Sequence, residues 1–483
     1  MPDRRHAAGH TTPVDPPVPT GPGGTHRRHD GARGPAGGGA HRSQGILGVL
    51  RDIGYVSFGK YGQYVITVVT VPLIARVLGA HGMGLLAIGM SSYFIGSLLV
   101  DLGITSFLAA HVQGQHRPGA EQSAERLRHV NQLRGDYLAI RATGLGIIGA
   151  ALLISLLAQV PELGLSVGIP EWVEMILLGL FAGGFWSVSE DWLLIGQGRF
   201  GTSTAYQAVG RIGYLMLLVG LLPRLPSAQV ALLCLLVSSI PTVALTWWDS
   251  LKTFGRPSRP RLFRTVLRTG APILTSRLLI TLYGQGAAAI YAAVLNAAAL
   301  GLYSASDRLV RAIQSTLDPI GFALLPRMAR RSADHRFWRH AMTALLACVC
   351  VATLAAAAVW AAAPVLIRLV FGDEFTTAVG LLRVEIFILP ATTVTSFVTT
   401  AVLPVRQDTT GVLIGAVLGT CVALGALVVA FRTHSVWTLV YGTVIIEFTV
   451  AAWYLLRVRR LVVRERRLPP AMSPAVALMR EDG

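Results

Sequence analysis

Twelve separate stretches of apolar residues recur along this 483-residue chain, each about 20 residues long and so able to cross the hydrocarbon core of a bilayer as a helix. They begin near Tyr55, Gly84, Tyr137, Trp172, Thr204, Ala228, Ala271, Leu302, Ala341, Val379, Gly411 and Val436. In lipid, every backbone N–H and C=O must be satisfied within the protein, which confines spans of this length to helices. Composition agrees: 53% hydrophobic and 14% charged residues leave too little polar surface for soluble domains of this length. The expected fold is all-α and integral to a membrane, with about 12 transmembrane helices.

The formal charge of +17, from 42 Lys+Arg against 25 Asp+Glu, sits in short hydrophilic segments between these spans rather than in a nucleic-acid-binding domain. Loops 109–136, 249–270 (Lys252, Arg256, Arg259, Arg261, Arg264, Arg268) and 326–340 (Arg327, Arg330, Arg331, Arg336, Arg339) fall on one side, with both tails. The opposite loops, 79–83, 159–171, 223–227, 296–301, 363–378 and 432–435, carry only Arg224, Arg368 and Arg432 as Lys or Arg. The positive-inside rule makes the basic side cytoplasmic, so both termini are expected there. Lysine occurs only at Lys60 and Lys252 while Arg, Ala and Gly abound, a usage that suits a high-GC bacterial genome and hence a bacterial cytoplasmic membrane.

Residues 1–50 are rich in Pro, Gly and basic residues and poor in apolar ones, so they read as a disordered basic tail. The irregular spacing of His6, His10, His26, His29 and His41 does not make a metal site. The first apolar run, near Ile53, is long enough to span rather than to be cleaved as a signal peptide. The expected organisation continues with an N-terminal six-helix lobe (51–248), a basic cytoplasmic linker (249–270), a C-terminal six-helix lobe (271–456) and a basic cytoplasmic tail (457–483). Cys234, Cys348, Cys350 and Cys421 all lie in apolar stretches and read as small hydrophobes, without metal-ligand spacing.

A repeat relates the two lobes. Gly84-Leu85, Asp101 and Phe107-Leu108 recur as Gly301-Leu302, Asp318 and Leu324-Leu325, each at an offset of 217, while Tyr61–Gln63 recurs as Tyr283–Gln285 at an offset of 222. Six spans per repeat preserve orientation, so pseudo-symmetric lobes would be related by an axis along the membrane normal, around a central cavity.

Ionisable groups within spans are costly and mark functional positions by default. The eighth span is richest: Ser304, Asp307, Arg308, Arg311, Gln314, Ser315 and Asp318 recur at helical spacing and form one polar stripe turned from lipid. Asp307 and Arg311, at i and i+4, can neutralise one another, which leaves Arg308 without a local partner. Span one carries Ser57, Lys60, Gln63, Tyr64, Thr67 and Thr70, and span seven carries Arg277, Thr281 and Gln285; Lys60 and Arg277 are also close enough to span ends to snorkel. Glu447 lies mid-span as a protonatable group or the partner of a buried Arg. Arg383 with Glu385, and Arg211, are further candidates, Arg76 and Arg141 read as interfacial anchors, and Asp101 and Asp318 read as end-of-span groups that cap or pair with loop arginines.

A cleft holding several guanidinium groups attracts an anion, and phosphate matches their paired donors. GxxxxGK[ST], HExxH and GxSxG are absent, and the Gly-rich GQGRFGTS of Gly196–Ser203 lacks the lysine, so no nucleotide site, cofactor or catalytic centre is expected.

The segments KYGQYVITVVTVPLIARVLGAHGMGLLAIGMSSYFIGSLLVDLGITSFL, EDWLLIGQGRF, LGLYSASDRLVRAIQSTLDPIGFALLPRMAR and RLVFGDEFTTAVGLLRVEIFILP together resemble the polysaccharide transporter, or Wzx-like O-antigen flippase, family of the MATE-related superfamily, in order over residues 50–460. The resemblance implies a flippase that moves undecaprenyl-diphosphate-linked oligosaccharide by alternating access. It further implies Arg277, Arg308, Arg311 and Lys60 as contacts for diphosphate or acidic sugar, with Gln63 and Gln285 beside them. Asp307, Glu447 and Glu385 are the candidates for coupling to an ion. The expected partners are the lipid-linked substrate, membrane lipids and the polymerase and glycosyltransferases of the same glycan, with no nucleic acid. The long N-terminal tail departs from the family's compact ends. Two alternatives remain: a multidrug or cation antiporter of the same superfamily, which would need surplus carboxylates, and a membrane polysaccharide polymerase or ligase. The latter needs a sizeable catalytic loop outside, whereas the longest outward loop, 363–378, offers only Arg368, Asp373 and Glu374 as charges.

Overall fold

The structure, a computed structural model, describes residues 40–103, 120–159, 168–261, 263–330, 337–403 and 409–467, with side chains from Val69 in the first helix and to Leu317 in the ninth. The N-terminal histidines, the outer part of the C-terminal tail, and the side chains of Lys60, Gln63 and Asp318 lie outside the described residues. Among those residues the chain is nearly all helical: α1 (Ala40–Asp101), α2 (Ala120–Leu157), α3 (Glu171–Ser187), α4 (Asp191–Gly196), α5 (Phe200–Leu221), α6 (Ala228–Phe254), α7 (Phe263–Gly284), α8 (Ala287–Tyr291), α9 (Ala297–Arg330), α10 (Phe337–Phe371), α11 (Ala378–Glu385), α12 (Ile388–Phe397), α13 (Thr409–Thr433) and α14 (Val436–Arg467).

Seven of these helical segments are long and apolar enough to cross a membrane, or eight if α11 and the helix after it, bent by 42°, form one span. The helices that miss this mark include α7 and α9, whose arginines dilute their apolar content. Side chains such as Met216, Leu354, Ile154, Val365 and Leu369 lie on the helices and are largely exposed. In water they would make large apolar patches; against lipid tails they need no cover. The protein is a multi-pass membrane protein.

Two boundaries differ from the sequence reading. Helix α2 begins at Ala120 rather than near Tyr137, because Val130, Leu133 and Tyr137 continue the apolar period into what read as a basic loop. Helix α10 runs unbroken through Pro364 to Phe371, so the outward connection expected over 363–378 shrinks to a short turn around the 3-10 segment Asp373–Phe375.

Helix α1 breaks at Gly79, where φ of 64° is a left-handed conformation that costs glycine little. Beyond the break, Gly84 meets Gly301 of α9. A methyl group on Gly84 would lie 1.7 Å from the carbonyl oxygen of Ala297, and one on Gly301 would lie 1.9 Å from that of Ala80. Both pairs, 80 with 297 and 84 with 301, keep the offset of 217 seen in the sequence repeat. Such a reciprocal contact is what a two-fold relation between two copies produces. Nearby, the backbone N–H of Ala80 donates to Glu374 at 2.8 Å, and Arg76 donates to the Leu369 carbonyl at 2.7 Å.

At this end, the apolar core is continuous across the halves, joining Ile74, Met83, Leu86 and Leu232 to Leu300, Phe371, Leu381 and Leu439. Toward the other end, it divides in two. One cluster, with Leu102, Val130, Tyr137 and Trp192, belongs to the N-terminal half; the other, with Phe337, Val394, Phe397 and Tyr454, belongs to the C-terminal half. Helix α7 touches both, through Val266 and Leu274 on the first and Tyr283 on the second. Among the described residues the apolar core is thus continuous at one end and split into two clusters at the other, with α7 bridging them.

Candidate functional site

Helix α9 starts at the joined end and carries its polar stripe down toward the split. Asp307 accepts from Nε of Arg311 at 3.0 Å, as the i, i+4 spacing predicts, and Arg311 also reaches Oε1 of Gln314 at 3.4 Å. Arg308 finds a partner on its own stripe, donating to Ser304 at 3.3 Å. It also lies within the electrostatic field of Tyr214 on α5, across in the N-terminal half. Asp307 and Arg311 keep 25% and 31% of their side-chain surface exposed. They are neither in lipid nor sealed, which leaves them able to meet a ligand.

Two more acidic groups close on this stripe. Glu385, at the last turn of α11, has 0% exposure, accepts a hydrogen bond from Ser306 and lies against Asp307. Glu447, from α14, shares the field of Arg311 and Asp307. Tyr303 approaches Thr443 at 3.5 Å, fixing the register of α9 against α14. Asp307, Glu385 and Glu447, the three expected ion-coupling candidates, thus lie beside Arg308 and Arg311, and the site holds both signs of charge.

The other expected residues lie elsewhere. Arg277 is exposed and lays its side chain over Gly103, where a methyl group would come within 2.8 Å of its Cδ; it therefore tethers α7 to the end of α1 in the opposite half. Gln285 follows the end of α7 and is exposed, its N–H bonded to the Thr281 carbonyl at 2.8 Å. Arg383 turns from Glu385 and stacks over Trp360 at 4.8 Å.

Sequence reasoning missed a second charged network, in the N-terminal half at the split end. Arg134, assigned to a loop, is 1% exposed. Its Nε donates to Glu190 at 3.0 Å and its Nη1 to Asn131 and the Gly255 carbonyl, both at 2.8 Å. Ser250 also donates to Glu190, and Trp247 and Phe254 face the guanidinium at 5.9 Å. Arg141, read as an interfacial anchor, is 3% exposed, bonded to Asp101 at 2.8 Å and to the Ser189 carbonyl at 2.9 Å. The signal was the continued helical spacing of Val130, Arg134, Tyr137 and Arg141. The basic linker is strapped to the same helix: Ser258 N–H donates to the Asn131 carbonyl at 3.0 Å, Gln132 donates to the Arg259 carbonyl at 3.1 Å, and Arg261 N–H donates to Asp136 at 2.5 Å.

The fold is similar to that of a multidrug resistance MATE family transporter of the MOP superfamily in an inward-facing conformation, at 15% identity over 84% of this chain and 96% of that one, with a TM-score of 0.61. It is also similar to the lipid II flippase MurJ in an inward closed conformation, at 12% identity over 84% and 87% of the two chains, TM-score 0.63. A Vibrio cholerae MATE transporter matches at 15% identity over 87% and 98%, TM-score 0.51. No curated protein sequence matches significantly. The family model described as polysaccharide biosynthesis protein matches residues 49–332, more than half of the chain, and the protein belongs to that family.

Proposed function

We propose that the protein is a flippase that carries an undecaprenyl-diphosphate-linked oligosaccharide across the bacterial cytoplasmic membrane by alternating access, with both termini and the split end in the cytoplasm and twelve spans in two six-helix lobes. The observation that supports this most is the placement of Arg308 and Arg311 on a partly exposed stripe at mid-helix, above a core that divides between the halves. An anionic head group entering from the split end would meet paired guanidinium donors, while the polyprenyl tail stays in lipid. Opening the joined end then separates Gly84 from Gly301 and Glu374 from Ala80, and the head group leaves on the far side. Lys60 and Arg277 would act nearer the cytoplasmic end, as early contacts during entry, with Gln63 and Gln285 as polar wall.

Asp307, Glu385 and Glu447 suit the coupling step. Adjacent carboxylates in a site of low polarity hold a proton or a cation between them, and exchange of that ion against the substrate would reset the lobes. The same carboxylates support a second reading, a multidrug or cation antiporter. Deleting the gene and assigning lipid-linked glycan intermediates to each leaflet separates the two. Accumulation of complete oligosaccharide-lipid on the cytoplasmic leaflet is the expected result; unchanged glycan export with altered sensitivity to organic cations would reject it for the antiporter.

A further inference from the structure

The end of α6, the linker after it and the start of α7 form a run of positive charge. Lys252, Arg256, Arg259, Arg261, Arg264 and Arg268 are all exposed, and no Asp or Glu occurs between Asp249 and Asp307. Among the described residues, none of the six forms an ion pair with a carboxylate. Two acids on the packed elements are engaged elsewhere. Asp249 is held by Arg199 at 2.7 and 3.1 Å, while Asp136 accepts the backbone N–H of Arg261 at 2.5 Å and Nε2 of Gln132 at 3.1 Å.

The backbone that carries these cations is fixed on α2. Besides the bond from Arg261, Ser258 N–H donates to the Asn131 carbonyl at 3.0 Å, Gln132 to the Arg259 carbonyl at 3.1 Å and Arg134 to the Gly255 carbonyl at 2.8 Å. A methyl group on Gly135 would lie 1.8 Å from the Ser258 carbonyl oxygen, so the linker sits directly on the helix. Pro257 and Pro260 stiffen it further. With its backbone so bonded, the linker presents chiefly its guanidinium groups outward. Their depth follows from Trp248, which is 60% exposed and has Nζ of Lys252 at 5.4 Å from its ring. An exposed Trp near the end of a span marks the head-group level of a bilayer, and the linker begins within two turns of it.

We propose that this linker is a binding surface for the head groups of anionic phospholipids in the leaflet on its side, which is cytoplasmic in the orientation given above. Each cation near an anionic surface adds an attraction that salt weakens. A backbone already fixed on α2 loses little further freedom when a lipid binds, so less of that attraction is spent on ordering. Setting the topology needs only enough Lys and Arg in the loop. Seating the loop on α2 while every cation stays outside goes further and builds a surface. Its ligand is a phosphodiester with net negative charge; a zwitterionic head group brings its own cation and gains less. The surface does not depend on what the protein carries.

The test reconstitutes the purified full-length protein in phosphatidylcholine vesicles with a minor fraction of phosphatidylglycerol bearing a photoreactive head group, and maps the crosslinked residues. The expected result is labelling concentrated over residues 248–268. It should fall about fivefold or more when Arg256→Gln, Arg259→Gln, Arg261→Gln and Arg264→Gln are combined, as removal of several charges near an anionic surface does, and fall likewise in high salt. Lysine at the same four positions should keep most of the labelling, because a point charge suffices. These side chains are exposed and make no ion pairs, so both variants should match the wild-type Tm. Labelling spread evenly over the lipid-facing helices, or unchanged in the glutamine variant, would overturn the proposal. So would loss of labelling in the lysine variant at unchanged Tm. Displacement of the probe by undecaprenyl diphosphate but not by excess phosphatidylglycerol would overturn it too, since the surface would then serve the carried lipid. None of these outcomes decides the flippase reading, which the leaflet assignment of glycan intermediates tests separately.

Discussion

The two charged networks of this protein use the same residue types to opposite ends. In the N-terminal half, Arg134 and Arg141 are almost fully enclosed, and each is bonded to a carboxylate and to backbone carbonyls that end or link helices. Such groups are held on several sides by the protein itself and shut off from a ligand. In the C-terminal half, Arg308 and Arg311 remain partly exposed, bonded along their own helix, with three carboxylates near them. An arginine in a span is therefore not informative by its presence alone. What distinguishes a structural from a transporting guanidinium is whether its donors are already used by groups that do not move.

The largest expected effect breaks the enclosed network. Arg134→Ala leaves Glu190 buried without its cation and should cost about 3–5 kcal/mol of stability, read as loss of folded protein in the membrane or a large drop in Tm. Replacing both partners by apolar residues should cost much less. Arg308→Ala should do the reverse, lowering glycan export about tenfold or more with Tm nearly unchanged. A fall in Tm as large as that of Arg134→Ala would erase the contrast between the networks. Next, Gly84→Ala places a methyl group against the Ala297 carbonyl and should disfavour the joined end by about 1–3 kcal/mol. Spin-label distances across that end should lengthen, and Gly301→Ala should match it in size because the contact is reciprocal. The smallest effect is that of Glu374→Gln, which turns a charge-assisted bond to Ala80 N–H into a neutral one and should weaken the joined end by about 1 kcal/mol, visible as a modest change in the same distances.

Much of the fold was legible because lipid imposes it. The described residues are nearly all helical, with seven or eight segments long and apolar enough to span, and the repeat found at Gly84 and Gly301 turned out to mark residues that touch. The polar stripe of α9 was equally legible, since Ser, Asp and Arg repeating at a helical period in an apolar segment must turn toward protein or water rather than lipid. The three carboxylates were named as candidates, but their convergence was harder to see. Glu385 and Glu447 are far from Asp307 in sequence, and only the packing of α11 and α14 on α9 brings them to one guanidinium. Arg134 was misplaced because a basic residue near a loop follows the positive-inside rule and a buried ion pair equally well, and tertiary partners such as Glu190 and Ser250 leave no local pattern.

The central claim is that the Arg308 and Arg311 stripe passes the anionic head of a lipid-linked glycan between the two halves. Its most direct test is reconstitution of the purified protein in vesicles with a diphosphate-linked oligosaccharide lipid, scoring how fast the glycan becomes accessible on the opposite leaflet. The expected result is movement by the wild-type protein and its near loss in Arg308→Ala and Arg311→Ala at equal reconstitution. Equal rates in all three proteins, or transport of organic cations with no movement of the glycolipid, would contradict it.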